Sequence, residues 1–148
     1  MKRIDFGGKV PKVYKVSKII RMQHCDAAGV VFTPQYFNLF VEALEDWFRE
    51  ELDFGFPQMV VEKNLGLPAM RFVAKFFKPS KLGDVLDFRV KVKRLRRNNV
   101  LVNIEGVCGS ERRCMADVLH GFADLDTMAL TDWPNHLLLK LEEYLHQR

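Results

Sequence analysis

The sequence predicts an α+β fold, a five-stranded antiparallel sheet wrapped around one long central helix, with a second helix at the C-terminus. Three observations carry this. Leu86, Phe88, Val90 and Val92 alternate with Asp87, Arg89, Lys91 and Lys93 at a strict period of two, which marks a strand with one buried and one wet face. Phe37, Phe40, Val41, Leu44, Trp47 and Phe48 recur at three- and four-residue steps, with Glu42, Glu45, Asp46, Arg49 and Glu50 on the other side. That helix, about 18 residues and ~27 Å long, carries a wide aromatic stripe that a curved sheet encloses better than a flat one.

Taken in order, residues 1–12, with Gly7-Gly8 and Pro11, form a frayed N-terminal segment, and residues 13–148 form one domain. Val13 to Met22 is a first strand. Thr33 is a competent N-cap for the long helix, and Pro34 suits its first position, where no backbone donor is needed. Met70 to Phe77 is a strand that ends at Lys78-Pro79, because proline cannot donate to a ladder. After the strand at Leu86–Val92, Asn98-Asn99 tolerates positive φ, and Val100, Val102 and Ile104 alternate with Asn103 and Glu105 as its antiparallel partner. Gly109-Ser110 breaks that strand. Cys114 to Leu125 carries apolar residues on both sides and reads as covered on both faces. Pro134 and Asn135 start a helix that runs to His146 through Leu138, Leu141 and Leu145.

A chain of 148 residues with 48% hydrophobic and 28% charged side chains closes one ordinary core, which excludes disorder and collagen-like structure. The longest apolar runs, such as Val30-Val31-Phe32, fall far short of the roughly 18 residues of a membrane span, and the start lacks the apolar core of a secretory signal. Cytoplasmic residence is expected. Cys25, Cys108 and Cys114 have no disulfide-framework spacing, which suits a reducing compartment. The formal charge of +4 is unevenly placed: residues 1–22 net +6 and 71–97 net +8, while 42–62 net −6. Two basic segments are compatible with nucleic acid or with a phosphorylated ligand held at one basic edge.

The segment from Met22 to Phe37 carries the chemistry. It sets a carboxylate, Asp26, three small residues and an apolar run just before a helix N-terminus, whose first N–H groups lack intrahelical partners and favour developing negative charge. Gly29 permits positive φ or close approach of a ligand. Two readings stand side by side: Asp26 as a base or nucleophile beside an anion site, or Asp26 and Gly29 as plain turn residues.

His24-Cys25-Asp26-Ala27-Ala28-Gly29-Val30-Val31-Phe32-Thr33-Pro34-Gln35-Tyr36 closely resembles the Asp-Cys-Asp-Pro-Ala-Gly-Ile-Val-Phe-Tyr-Pro-Asn-Tyr signature of the 4-hydroxybenzoyl-CoA thioesterase family, which has the hotdog fold. The resemblance covers about residues 13–126 and is sharp over 25–36. It implies hydrolysis of acyl-CoA thioesters, without metal or redox cofactor, at a site between two subunits of a homodimer or homotetramer. It places the catalytic aspartate on Asp26 and the carbonyl-polarising backbone N–H on Thr33, with Gly29, Val30, Val31 and Phe32 lining the approach. A positioned carboxylate, acting as nucleophile through a mixed anhydride or as base for water, plus one or two N–H donors can suffice for a reactive thioester.

The chain departs from that signature at His24, Ala27, Thr33 and Gln35. A backbone donor survives the change at Thr33. His24 is either a solvated strand-end histidine or an auxiliary group that positions water or Asp26. Arg96 and Arg97, in the run Lys91 to Asn99, are candidates to clamp the phosphates of coenzyme A, since a guanidinium fork matches phosphate geometry. Glu42 and Glu45 lie where a second hotdog type carries its glutamate, but their spacing is that of a wet helix face. No histidine pair has zinc-ligand spacing with a cysteine, and no metal is expected. A hotdog hydratase would need a histidine where Val31 stands. A nucleic-acid binder, the alternative from another class, lacks aromatic platforms among its arginines.

Overall fold

The computed structural model describes residues 10–146. Its main sheet has five antiparallel strands in the order β1 (Tyr14–Ile19), β4 (Val85–Arg96), β5 (Asn99–Cys108), β6 (Glu111–Gly121) and β3 (Ala69–Phe76). The helix α1 (Gln35–Glu50) lies against its concave face. Leu86, Phe88, Val90 and Val92 point inward and are fully buried, as their alternation predicts, and Phe40 meets Phe88 edge-on at 6.0 Å. Trp47, Phe40 and Phe48 are the largest fully buried side chains, so the aromatic stripe of α1 is the centre of the core.

Several details differ from expectation for identifiable reasons. β4 runs on to Arg96 because a bulge between Val92 and Arg94 absorbs the break in alternation, after which Arg96 pairs with Asn99 across a tight hairpin. α1 has 16 residues, and Pro34, with helical φ and ψ, occupies its cap position without a side-chain hydrogen bond from Thr33. Asp46 is not on a wet face; it is buried, paired with Lys18 of β1 and with Arg49 at 2.8 Å. Conversely Phe37 and Val41, assigned to the core stripe, are exposed, with the Phe37 ring 4.6 Å from Phe72 of the edge strand β3.

A π-helical turn, Pro57–Glu62, and a small sheet of β2 (Leu65–Gly66), β7 (Ala123–Asp124) and β8 (Ala129–Leu130) cover one end. β6 therefore stops at Gly121, short of Leu125, and only its inner face is fully covered, with Met115 and Leu119 half-buried outside. The C-terminal helix α2 (Asn135–Glu142) ends earlier than expected, since Tyr144 and His146 turn to exchange backbone bonds with Val92. Residues 1–9 of the segment expected to fray lie outside the described residues; within it, the Lys12 N–H donates to Glu143 O at 2.8 Å.

Candidate active site

Residues 25–31 fold back on themselves as a two-stranded ribbon. Cys25 bridges Val31, the Asp26 N–H donates to Val30 O at 3.0 Å, and the Gly29 N–H donates to Asp26 O at 3.1 Å. Gly29 has φ +77°, the left-handed residue that closes a three-residue hairpin loop after a type I turn. Asp26 Oδ1 accepts the Ala28 N–H at 2.8 Å. The turn reading of Asp26 and Gly29 is thus realised, and it does not exhaust the carboxylate. Asp26 is exposed, and among the described residues its Oδ2 has no hydrogen-bond partner.

The ribbon feeds α1 through Phe32, whose N–H donates to His24 O at 2.9 Å. The expected row of free N–H groups at the helix start is absent. Gln35, Tyr36 and Phe37 donate to the carbonyls of Phe32, Thr33 and Pro34 at 2.7, 3.1 and 3.2 Å, a tight i→i−3 turn that consumes them, and Pro34 has no N–H. Among the described residues the Thr33 N–H has no acceptor. It stands at the positive end of α1, where an oxyanion is favoured.

The remaining candidates are placed unevenly. Val31 is 7% exposed and packs into the core, whereas Phe32 is 52% exposed beside the ribbon. His24 is not solvated. It is 6% exposed at the end of a short 3-10 turn, Met22–His24, and its Nδ1 accepts the Arg21 N–H at 2.9 Å, which leaves the proton on Nε2. With Ser17, Lys18, Arg21, Gln23, Leu39 and Glu42 it lines a cavity of about 390 Å³ between β1 and α1.

Arg96 and Arg97 lie at the far end of the sheet. Asp26 sits beside the start of β4, through Val30 bridging Lys81, while the arginines close its other end, roughly 36 Å away at 3.3 Å per residue. Trp133 pins that hairpin, donating through its N–H to Arg97 O at 2.9 Å and through Nε1 to Arg96 O at 2.8 Å. Both guanidinium groups face solvent. Among the described residues no cluster of three or more His, Cys, Asp or Glu could hold a metal, and no helix is long and apolar enough to cross a membrane.

Sequence reasoning missed the segment that holds the ribbon. Val31 donates to Ser80 O and Leu82 to Gly29 O, each at 2.9 Å, so residues 80–84 brace the turn from behind. The Lys-Leu-Gly-Asp composition at 81–84 was the available signal: Gly83 has φ +91°, and Asp84 Oδ2 caps the Lys81 N–H at 2.9 Å.

A sheet wrapped around a central helix, with a carboxylate turn entering the helix start, defines the hotdog class. The chain belongs to the thioesterase-like superfamily, whose family model matches residues 20–141. It is 25% identical over 126 residues to a 1,4-dihydroxy-2-naphthoyl-CoA hydrolase from Prochlorococcus marinus subsp. pastoris, covering 80% of this chain and 81% of the relative. A 1,4-dihydroxy-2-naphthoyl-CoA thioesterase from Synechocystis superposes with TM-score 0.80 at 18% identity, covering 88% of this chain and 96% of the other. A hypothetical protein from Staphylococcus aureus, solved in complex with CoA, superposes with TM-score 0.80 at 10% identity, covering 91% and 85%. These two superpositions establish a shared fold.

Proposed function

We propose that this protein hydrolyses an aromatic or short- to medium-chain acyl-CoA thioester to the free acid and CoA. The observation that carries the reading is the Thr33 N–H at the helix start, without an acceptor among the described residues, on the same ribbon as the exposed carboxylate of Asp26. The two residues stand about three pairs apart on one ribbon, roughly 10 Å of backbone. A carboxylate side chain, a thioester carbonyl and a hydrogen bond to its oxygen together span that gap. Asp26 attacks the carbonyl and expels the CoA thiolate to give a mixed anhydride that water then cleaves to the free acid and the Asp26 carboxylate, or it takes a proton from a water that attacks the carbonyl directly and expels the thiolate; in either course the Thr33 N–H stabilises the oxyanion. No metal or redox cofactor is required by this chemistry. The CoA thioesters named for the Prochlorococcus and Synechocystis proteins support the substrate class and favour an aromatic acyl group.

The distance to Arg96 and Arg97 favours a homodimer. β3 is an edge strand flanked by exposed Phe37, Met70, Val73 and Phe76. Two copies related by a two-fold axis pair such edges antiparallel, which carries the partner's hairpin end toward this chain's Asp26 end. The partner subunit's Arg96 and Arg97 then hold the CoA phosphates. The test is thiol release from a panel of aryl-, short- and long-chain acyl-CoA thioesters. Hydrolysis of at least one, abolished in Asp26→Asn while the thioester still binds, is expected; no hydrolysis of any, or an unaffected variant, overturns the reading.

A further inference from the structure

The guanidinium of Arg113 on β6 is 13% exposed, and it gathers one end of the molecule. Its Nη1 donates to Asp84 Oδ2 at 2.8 Å, to Pro79 O at 3.1 Å and to Ser80 Oγ at 3.3 Å, and its Nε donates to Glu111 Oε1 at 2.6 Å. Asp84 and Glu111 are held below their ordinary carboxylate range, Asp84 first by the Lys81 N–H and then by Arg113, Glu111 first by Lys78 and then by Arg113. Of the groups Arg113 holds, those between residues 79 and 84 lead to the ribbon. Ser80, fully buried, presents its carbonyl to the Val31 N–H, and the loop closed by Asp84 presents the Leu82 N–H to Gly29 O. Asp84 and Gly83 also exchange backbone bonds with Ile20, which leads into the Arg21–His24 turn.

We infer that Arg113 is a positioning residue for the hydrolysis: it fixes residues 79–84, and through Ser80 O and Leu82 N it sets the spacing between Asp26 and the Thr33 N–H. The inference rests on the function proposed above, and it needs a charged fork. Five donors in a rigid plane can reach a carboxylate, a carbonyl and a hydroxyl spread along one edge, whereas an ammonium's three donors radiate from a single nitrogen and match that spread less well, and glutamine lacks the charge. A reacting geometry that loosens by about 1 Å can cost 10²-fold in rate.

Two readouts test it. In Arg113→Gln, kcat on the best CoA thioester is expected to fall about 10- to 100-fold with KM within about threefold, and Arg113→Lys to recover part of the loss. Amide hydrogen exchange at Val31 and Leu82 should accelerate about 10-fold or more, while that of Val90 and Val102 in the core is unchanged. Asp84→Asn, which keeps the Lys81 cap and removes only the charge, should shift both readouts the same way if Arg113→Gln folds poorly. Unchanged kcat together with unchanged exchange at Val31 and Leu82 would show an ordinary surface ion pair and overturn the inference. If no thioester is hydrolysed at all, the functional reading fails, while exchange still decides whether Arg113 holds the ribbon.

Discussion

As the proposed catalytic carboxylate, Asp26 would have two jobs, and they can be separated. Oδ1 accepts the Ala28 N–H at 2.8 Å and shapes the turn, while Oδ2, without a partner among the described residues, would be the oxygen used in the reaction. Asparagine keeps an Oδ1 acceptor and is well suited to such turns, so Asp26→Asn is expected to leave stability within about 0.5 kcal/mol. Alanine removes the acceptor, and for an exposed hydrogen bond the loss is about 1 kcal/mol, or ~2–4 °C in Tm for a domain of this size. Activity should sort differently. Both variants lose the nucleophile or base, which removes at least about 10²-fold from kcat/KM. Urea denaturation and thiol-release kinetics on both proteins give the comparison. If Asp26→Asn kept wild-type kcat/KM and Asp26→Ala lost activity only in proportion to its stability, the carboxylate would be a turn former and the assignment would fail.

Other expectations follow from particular contacts. Thr33→Ala should keep kcat/KM within about threefold, since the group assigned to the oxyanion is the backbone N–H and not the hydroxyl. A Cβ on Gly106 would stand 2.7 Å from Cys114 Sγ and 3.0 Å from Phe88 Cε1, both fully buried, so Gly106→Ala should cost about 1–3 kcal/mol in urea denaturation, and Cys114→Ala in the same chain should return part of it. Burial pushes the His120 pKa below its ordinary 6.5, and Nδ1–H donates to Leu67 O at 3.1 Å. The unfolded chain therefore binds the extra proton first as pH falls, so this contribution is intact above about pH 6.5 and declines below it; the slope should flatten in His120→Gln.

The fold was legible wherever one residue's environment is set by its immediate neighbours. Alternation through Leu86–Val92 and Val100–Ile104 names the inner face of β4 and β5, and the Phe40–Trp47 spacing names the helix they cover. Legibility ended where a partner distant in sequence decides. Asp46 looks like any acid beside an apolar stripe until Lys18 arrives across the β1–α1 contact to neutralise it. His24 belongs by composition to a polar turn, and only the Arg21 N–H that occupies Nδ1 makes its burial tolerable. The two-residue strands of the small sheet are too short for any period to show. At the helix start, counting orphan N–H groups overstated the donors, because the chain enters α1 through a 3-10 turn that satisfies Gln35, Tyr36 and Phe37.

That last correction narrows the chemistry. A helix start with four free donors would hold many anions; one that, among the described residues, keeps a single free N–H beside a proline cap, with a carboxylate on the same ribbon, suits a group that needs one donor and one attacking oxygen, which describes a carbonyl better than a phosphate. The phosphates then require cations, and the basic segment 71–97, net +8, divides them: Lys75, Lys78 and Lys81 stand at the Asp26 end, and Arg71, Lys93, Arg94, Arg96 and Arg97 at the hairpin end of β4. If Arg96 and Arg97 hold the phosphates, as proposed above, one copy keeps them roughly 36 Å of strand away from Asp26, too far to serve one molecule of acyl-CoA. In the proposed dimer, antiparallel pairing of the β3 edges would bring the partner's hairpin end toward this chain's Asp26 end without moving any element within a chain, at an edge where Phe37, Met70 and Phe76 are exposed.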